Sequence, residues 1–530
     1  MRKSGVFLAL VAFVFLLQVA PPAPAQVPAW VAFTDQSTTR ISGPALLGIS
    51  DPDEKHLAIG DVDGDGDTDL LVVRKEPFTT AMGSPTGDRP HVLFLNEGGV
   101  MTNQTATYAP DLNVPSNARK GALVDVDLDG WLDIVIANGA GDAPRILMNL
   151  GNGPSGWAGF DEEAWRFPAL PALPHFCGLG VGDANGDGYA DLFFGDYNNT
   201  LEDRLWFNVG AANPGVFVDV TTTNLPPTFA GSGFNSTCEI ADMDGDGDGD
   251  LVKNSVGSCA IVWNNGSNVF NSMTVPAGIS VYAFTVGDLD NDADLDLYFA
   301  QDPQDQIDRN PNGLAAHATP NWVTGQLSSA QSPYTSNFNS MPHMADVDDD
   351  GDLDVGVSDV DIDVGGFNRR FSLLRNNSNG NPTAPWSTLL ASPYGGIAQI
   401  FNVFGTYDHA FLDVNGDDWL DLWIAYGTSN TSGGQRVFIQ TPRARLTEIG
   451  AGCAGTNGVP LIGTTGTPQL GNAGFQVTVG NALPGSIAIH FLCLGQTNVP
   501  FGPCTVYADL FATLVTSGAV VTSPFGQGSV

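Results

Sequence analysis

Oxygen-bearing side chains recur along this chain in one fixed pattern, Asp-x-Asp/Asn-x-Asp-Gly-x-x-Asp, with a short apolar run straight after it. Seven copies begin at Asp61, Asp125, Asp183, Asp242, Asp288, Asp346 and Asp413, spaced 64, 58, 59, 46, 58 and 67 residues apart. Oxygens at positions 1, 3, 5 and 9 of a tight loop, with the main-chain carbonyl of position 7, are the ligands a hard divalent cation such as Ca²⁺ takes. In the first copy these are Asp61, Asp63, Asp65 and Asp69 by side chain and Asp67 by carbonyl. The same places hold Asp125, Asp127, Asp129, Trp131 and Asp133 in the second copy, and Asp183, Asn185, Asp187, Tyr189 and Asp191 in the third. The fourth has Asp242, Asp244, Asp246, Asp248 and Asp250, and the fifth Asp288, Asp290, Asp292, Asp294 and Asp296. The sixth has Asp346, Asp348, Asp350, Asp352 and Asp354, and the seventh Asp413, Asn415, Asp417, Trp419 and Asp421. Up to seven Ca²⁺ ions are expected.

Charge bookkeeping follows these loops. The formal net charge is −38, from 58 acidic and 20 basic residues. The cassettes hold 32 of the acids, so the remainder of the chain carries 26 acids against the 20 bases. With 42% hydrophobic residues and 30 Phe the chain has ample material for a large core, unlike a disordered acidic tail. Nucleic acid is excluded as a partner, because phosphate binding needs clustered Lys and Arg.

Without a cation, each pair of carboxylates about 4 Å apart costs on the order of 4 kcal/mol at an effective dielectric near 20. Loop order and cation binding are therefore expected to be linked. Position 6 holds Gly66, Gly130, Gly188, Gly247 and Gly351, but Ala293 in the fifth copy and Asp418 in the seventh. A backbone with positive φ favours glycine there, so the fifth and seventh sites are expected to be the weakest. An EF-hand is excluded, since position 12 is not a bidentate Glu (Val72 in the first copy) and a strand pattern begins directly after position 9.

The elements that carry the loops repeat as well. An apolar run precedes each cassette, as in His56-Leu57-Ala58-Ile59-Gly60, and another follows it, as in Leu70-Leu71-Val72-Val73. A third run ends in Asn in most copies (Asn96, Asn149, Asn208, Asn264), which reads as turn chemistry. A fourth, more variable run includes Phe217-Val218-Asp219-Val220-Thr221, and the fifth copy lacks a clear third run. Short runs rich in β-branched and aromatic residues predict strands. Four antiparallel strands recurring seven times predict an all-β, seven-bladed β-propeller, in preference to a solenoid with shorter repeats. The segment Phe33-Thr34-Asp35-Gln36-Ser37-Thr38-Thr39 matches the fourth-run pattern and is expected to close the ring as the outer strand of the last blade.

The cassettes and their flanking strands resemble the FG-GAP/VCBS repeats of integrin α-chain propellers and of many secreted bacterial proteins, over roughly residues 30–440. The resemblance implies a module that recognises extracellular protein or carbohydrate through loops on one face, with Ca²⁺ stabilising the fold. Some polysaccharide lyases and a phospholipase use similar propellers, so a polysaccharide-active enzyme is the alternative. No GxSxG, HExxH or other recognisable catalytic constellation supports it, no CxxC or Cys/His cluster suggests zinc, and the histidines at 56, 91, 175, 317, 343, 409 and 490 read as packing or surface residues.

The ends of the chain differ from its middle. Residues 1–25 have Arg2 and Lys3, an apolar stretch from Val6 to Ala20 and Ala23-Pro24-Ala25, the pattern of a secretory signal peptide. The propeller is assigned to 26–446, and the protein is expected to be extracellular or at the cell surface, monomeric and without a membrane span. In residues 447–530 the charged residues are Glu448 and Asp509; Gly, Thr, Pro and Val prevail, and a small β-sandwich is expected. Of six cysteines, Cys238 and Cys259 flank the fourth cassette and are expected to bridge; two of Cys453, Cys493 and Cys504 are expected to pair.

Overall fold

A computed structural model describes residues 31–42, 53–75, 88–139, 141–172, 174–197, 202–230, 235–255, 258–264, 266, 268–274, 281–301, 305–310, 323–326, 339–359, 371–376, 387–388, 405–429 and 432–441, with seven further strands between 461 and 529. The chain divides into two compact units, 1–440 and 441–530.

The first unit is a seven-bladed β-propeller. Its blades begin with the inner strands Glu54–Gly60, Ala118–Val124, Phe176–Gly182, Cys238–Ala241, Val281–Gly287, Asn339–Ala345 and Gly405–Leu412. Each inner strand pairs antiparallel with the strand that follows it, and the cassette is the connection between the two. The third blade shows the full order: Phe176–Gly182, Asp191–Asp196, Arg204–Asn208 and Phe217–Asp219.

Alternation along the second strands explains why the blades stack. Side chains of a strand point to opposite faces in turn. Leu70 and Val72 therefore pack against Trp423, Ala425 and Val437 of the last blade, whereas Leu71 and Val73 pack against Ile134, Ile136 and Leu147 of the second. All seven apolar clusters found among the described residues join two consecutive blades in this way. A blade has no core of its own, and stability arises from its neighbours.

The ring closes through the N-terminal segment. Phe33–Asp35 pairs antiparallel with Ser432–Gln440, Phe33 opposite Gln440, as the outer strand of the seventh blade. Ser37 Oγ accepts the main-chain N–H of Val437 at 3.0 Å, as Thr105 Oγ1 accepts Leu93 N–H and Thr221 Oγ1 accepts Leu205 N–H, both at 2.9 Å. The sequence likeness to the other outer strands thus reflects one shared hydrogen bond. Ile41–Ser42 then runs parallel to Met101–Asn103 of the first blade, so one segment ties the two blades at the seam.

Two expectations are corrected. The fifth blade does have a third strand, Gln306–Arg309, and a fourth, Val323–Gln326. The third was illegible because Gln306 and Asp308 occupy buried places and break the apolar pattern. Cys238 and Cys259 are free thiols. Cys238 lies opposite Lys253 and Cys259 opposite Asn254, adjacent residues of the intervening strand, so the two sulfurs face opposite sides of the sheet. They sit in different interblade clusters.

In the second unit, Leu461–Thr465, Gln476–Gly480 and Gly528–Ser529 form one antiparallel sheet. Ile487–Cys493 pairs with Thr513–Val521, and Gln496–Phe501 with Cys504–Ala508. Residues 1–25, expected to be a signal peptide, Cys453 and the side chains of Cys493 and Cys504 lie outside the described residues. Among the described residues no helix is long and apolar enough to cross a membrane.

Candidate metal loops and an axial binding site

Each cassette folds around its first and last carboxylates. Both oxygens of position 9 accept main-chain N–H groups: one from position 2, at 2.9–3.2 Å. The other accepts from the residue that ends the third strand, or the one just past it, at 2.7–2.9 Å. Position 1 accepts the N–H of position 6, and position 5 that of position 7, in all seven loops. These bonds turn the loop in on itself and gather its oxygens. Among the described residues, at least four loops have three carboxylates with oxygens within 4.8 Å of one another: Asp61, Asp63 and Asp69; Asp125, Asp127 and Asp133; Asp242, Asp244 and Asp246; Asp288, Asp290 and Asp296.

The backbone requirement is stricter than the sequence suggested. Position 6 has positive φ in every loop, including Ala293 at 74° and Asp418 at 64°. Position 4 does too: Gly64, Gly186, Gly245 and Gly416 take it easily, whereas Leu128 (57°), Asn291 (58°) and Asp349 (56°) do not have glycine's freedom.

Does a cation fit? Oδ1 of Asp127, Oδ1 of Asp290 and Oδ1 of Asn415, all at position 3, are buried with no hydrogen-bond partner. A buried oxygen without a donor is costly, and a cation is what this donor set of hard oxygens suits. Position 9 is almost fully buried, and burial raises its carboxyl despite the two N–H bonds that oppose the rise. Asp69, Asp133, Asp296 and Asp421 are pushed up to about 7, Asp191 and Asp250 to about 8, and Asp354 to about 9. A bound divalent ion would reverse that shift.

Among the described residues, two loops meet an arginine of their own blade's third strand: in the fifth, Arg309 Nε stands 3.7 Å from Asp290 Oδ2, and in the sixth the contact is closer. Nη2 of Arg375 lies 2.7 Å from Asp348 Oδ2 and 2.8 Å from Asp350 Oδ2, a resident positive charge on positions 3 and 5. Nothing in the cassette itself announces this arginine, which arrives from the third strand.

A belt of hydrogen bonds, missed in the sequence, joins the loops. The residue at the end of each third strand, or in the fifth and sixth blades the one just past it, reaches back to the preceding blade and donates its side-chain amide to the carbonyl of cassette position 2. Asn149 donates to Val62, Asn208 to Val126, Asn264 to Ala184, Asn310 to Met243, Asn376 to Leu289 and Gln440 to Val347, and Asn96 closes the circle on Val414. The distances are 2.7–3.1 Å. The position-2 side chains are themselves buried between blades. The recurring Asn at the end of the third run was the available signal; it is an interblade clamp as well as a turn residue.

The opposite end of the axis carries a second site. A shallow depression is lined by Lys55, Arg119, Cys177, Tyr197, Ser236, Tyr282, Met341 and Tyr407. Every blade contributes, so the depression lies on the propeller axis. The inner-strand residues among them stand at the strand starts, whereas the cassettes follow the strand ends. Arg119, Cys177, Tyr282, Met341 and Tyr407 are each the extra residue of a β-bulge. A bulge leaves its residue unpaired and re-aims the side chain. Lys55 Nζ lies 5.6 Å from the Tyr407 ring centroid and the Arg119 guanidinium 5.8 Å from that of Tyr197.

Fold and loops together define a propeller with acidic blade loops. A family model described as FG-GAP-like repeat matches residues 125–194 and 183–253, and the seven blades fit that family. No curated protein matches the chain in sequence. Among solved structures it is similar to an Agrocybe aegerita lectin described as recognising non-reducing terminal N-acetylglucosamine, with 14% identity, a TM-score of 0.42, and coverage of 66% of this chain and 84% of the other. It is also similar to YCF48 bound to D1 peptide, with 10% identity, a TM-score of 0.42, and 80% and 99% coverage. A third is the rhamnogalacturonan lyase YesW, with 13% identity, a TM-score of 0.37, and 77% and 75% coverage.

Proposed function

We propose that this chain is an exported binding protein. Its acidic loops take Ca²⁺ as a structural ion, and its axial depression receives an extracellular protein or glycan. The observation that carries the reading is the ring of bulges. Five inner strands each break their pairing at the same level, and each break presents its extra side chain to one axial space. Sheets tolerate such breaks where a side chain must be re-aimed. Half-buried Tyr197 and Tyr282 offer faces on which a sugar ring or an apolar peptide side chain can stack, and Arg119 and Lys55 offer positive charge to a carboxylate.

The calcium reading rests on the donor-free oxygens of Asp127, Asp290 and Asn415. Export rests on the pattern of residues 1–25. A glycan and peptide array probed with the full chain, with and without chelator, tests the proposal. Binding is expected in calcium and is expected to fall at least about tenfold in Tyr282→Ala, the loss of one stacking contact and its desolvation. Wild-type binding that Tyr282→Ala and Arg119→Ala leave untouched would move the site elsewhere. Turnover of an added polysaccharide would replace this reading with that of an enzyme.

A further inference from the structure

Below the rim of the depression, the chain assembles a cluster that the sequence scatters. His56, His343, Asp408 and His409 come from the inner strands of the first, sixth and seventh blades, one or two residues further along than Lys55, Met341 and Tyr407. Asp408 is fully buried. Its Oδ1 accepts the His409 main-chain N–H at 2.9 Å and bonds with His343 Nε2 at 2.8 Å. Its Oδ2 accepts the Leu57 N–H at 2.9 Å, and His56 Nε2 stands 3.8 Å from it. One ligand atom from each of His343, Asp408 and His409 lies within 4.8 Å of the others.

These bonds account for the carboxylate, but they leave one atom over. His409 is buried, and its Nδ1 is held by Ser358 Oγ at 2.9 Å, yet its Nε2 has no hydrogen-bond partner. The ring lies edge-on to His343 with centroids 4.8 Å apart. Gly356 makes room for it, since a Cβ there would stand 2.3 Å from that nitrogen. A buried imidazole nitrogen with a fixed ring and no donor or acceptor is a costly thing to keep in a core. One nitrogen oriented by an outer hydroxyl and the other left free is the usual posture of a metal-binding histidine.

We infer that this cluster is a transition-metal site, separate from the acidic loops, in which His343 Nε2, an Asp408 oxygen and His409 Nε2 hold a borderline divalent cation of the Zn²⁺ class. The imidazoles select against calcium, which takes oxygen ligands. His343 Nε2 already faces Asp408, and coordination takes the place of the hydrogen bond between them, since an imidazole that ligates through one nitrogen carries its proton on the other. Burial keeps His56 down at about 3 and His409 well below its ordinary value, so both rings are neutral, the state that ligates.

The test uses the untagged full chain in millimolar calcium, which keeps the acidic loops supplied, and Co²⁺ as the probe. One equivalent of Co²⁺ is expected to bind with visible ligand-field absorption, and Zn²⁺ to displace it. His343→Ala, at a half-exposed place, is expected to lower Co²⁺ affinity by at least about tenfold, no less than the loss of an outer partner costs. His409→Gln is expected to abolish the band while circular dichroism reports an intact sheet. Absence of a band in the wild-type protein, bleaching of the band by added calcium, or equal uptake by His343→Ala and wild type would each overturn the inference. Should His409→Gln fail to fold, the His343 comparison decides alone.

Discussion

At the scale of the residue, the loops carry measurable strain. Ala293 and Leu128 sit at positive φ, where glycine is favoured by roughly 1 kcal/mol or more. Ala293→Gly and Leu128→Gly are each expected to stabilise the protein by about 1 kcal/mol in calcium, read as a shift in the urea midpoint; no shift would show that neighbouring contacts offset the gain. Arg375 holds the sixth loop more closely than Arg309 holds the fifth. Removing it leaves Asp348 and Asp350 without their guanidinium, so Arg375→Ala is expected to bind calcium more tightly at one site by calorimetry and to be less stable in chelator. A variant with unchanged calcium affinity would show that the ion never meets this loop.

Among elements, the unit that matters is a loop together with the third strand of the next blade. Position 2 of each cassette is fixed three ways: its side chain between blades, its N–H on position 9 and its carbonyl on the neighbour's amide. Asn208→Ala removes the donor from the buried Val126 carbonyl and is expected to cost about 1–3 kcal/mol, read from denaturant unfolding in calcium. A midpoint equal to that of the wild type would show the clamp to be incidental. The strands themselves were legible because apolar runs alternate with turn residues. The third strand of the fifth blade was not, because polar side chains fill its buried places and satisfy one another: Gln306 donates to Asp308 at 2.7 Å.

For the molecule as a whole, closure and pH are the two levers. Val31 and Phe33 are buried against Phe411, Leu422 and Phe438 of the seventh blade. Deleting residues 31–36 is expected to lower the melting temperature markedly, and an unchanged melting curve would refute the closure. The pH effect follows from the position-9 carboxyls, which burial raises from 3.8 to about 7–9. A raised carboxyl holds its proton more tightly folded than unfolded, so the stability it contributes is present below pH 4 and lost as pH rises through 7–9. Buried His56, His91 and His409 have lowered values and act in the opposite sense, but above pH 6.5 an unfolded imidazole is at most about half charged, so these three are outweighed by the seven carboxyls. In EDTA the melting temperature is therefore expected to fall between pH 6.5 and 8.5, and excess calcium to remove that fall, since the ion needs the ionised form. A flat profile in EDTA would show that the loops ionise freely.

The seven cassettes, the strands on either side and the closing segment stood in the sequence because local chemistry dictates them: carboxyl spacing for a turn, alternation for a half-shared sheet, and a fourth-run pattern repeated near the N-terminus for the closing strand. The ring had no such local sign where it brings distant residues together. Arg375 reaches the sixth loop, the amides reach neighbouring carbonyls, and His56 and His343 meet Asp408 and His409 only because blades six, seven and one are adjacent around an axis. Bulges, too, depend on how two strands pair and leave no mark in either strand alone. Sequence spacing set what each blade is made of; closure of the circle decided which side chains share its centre.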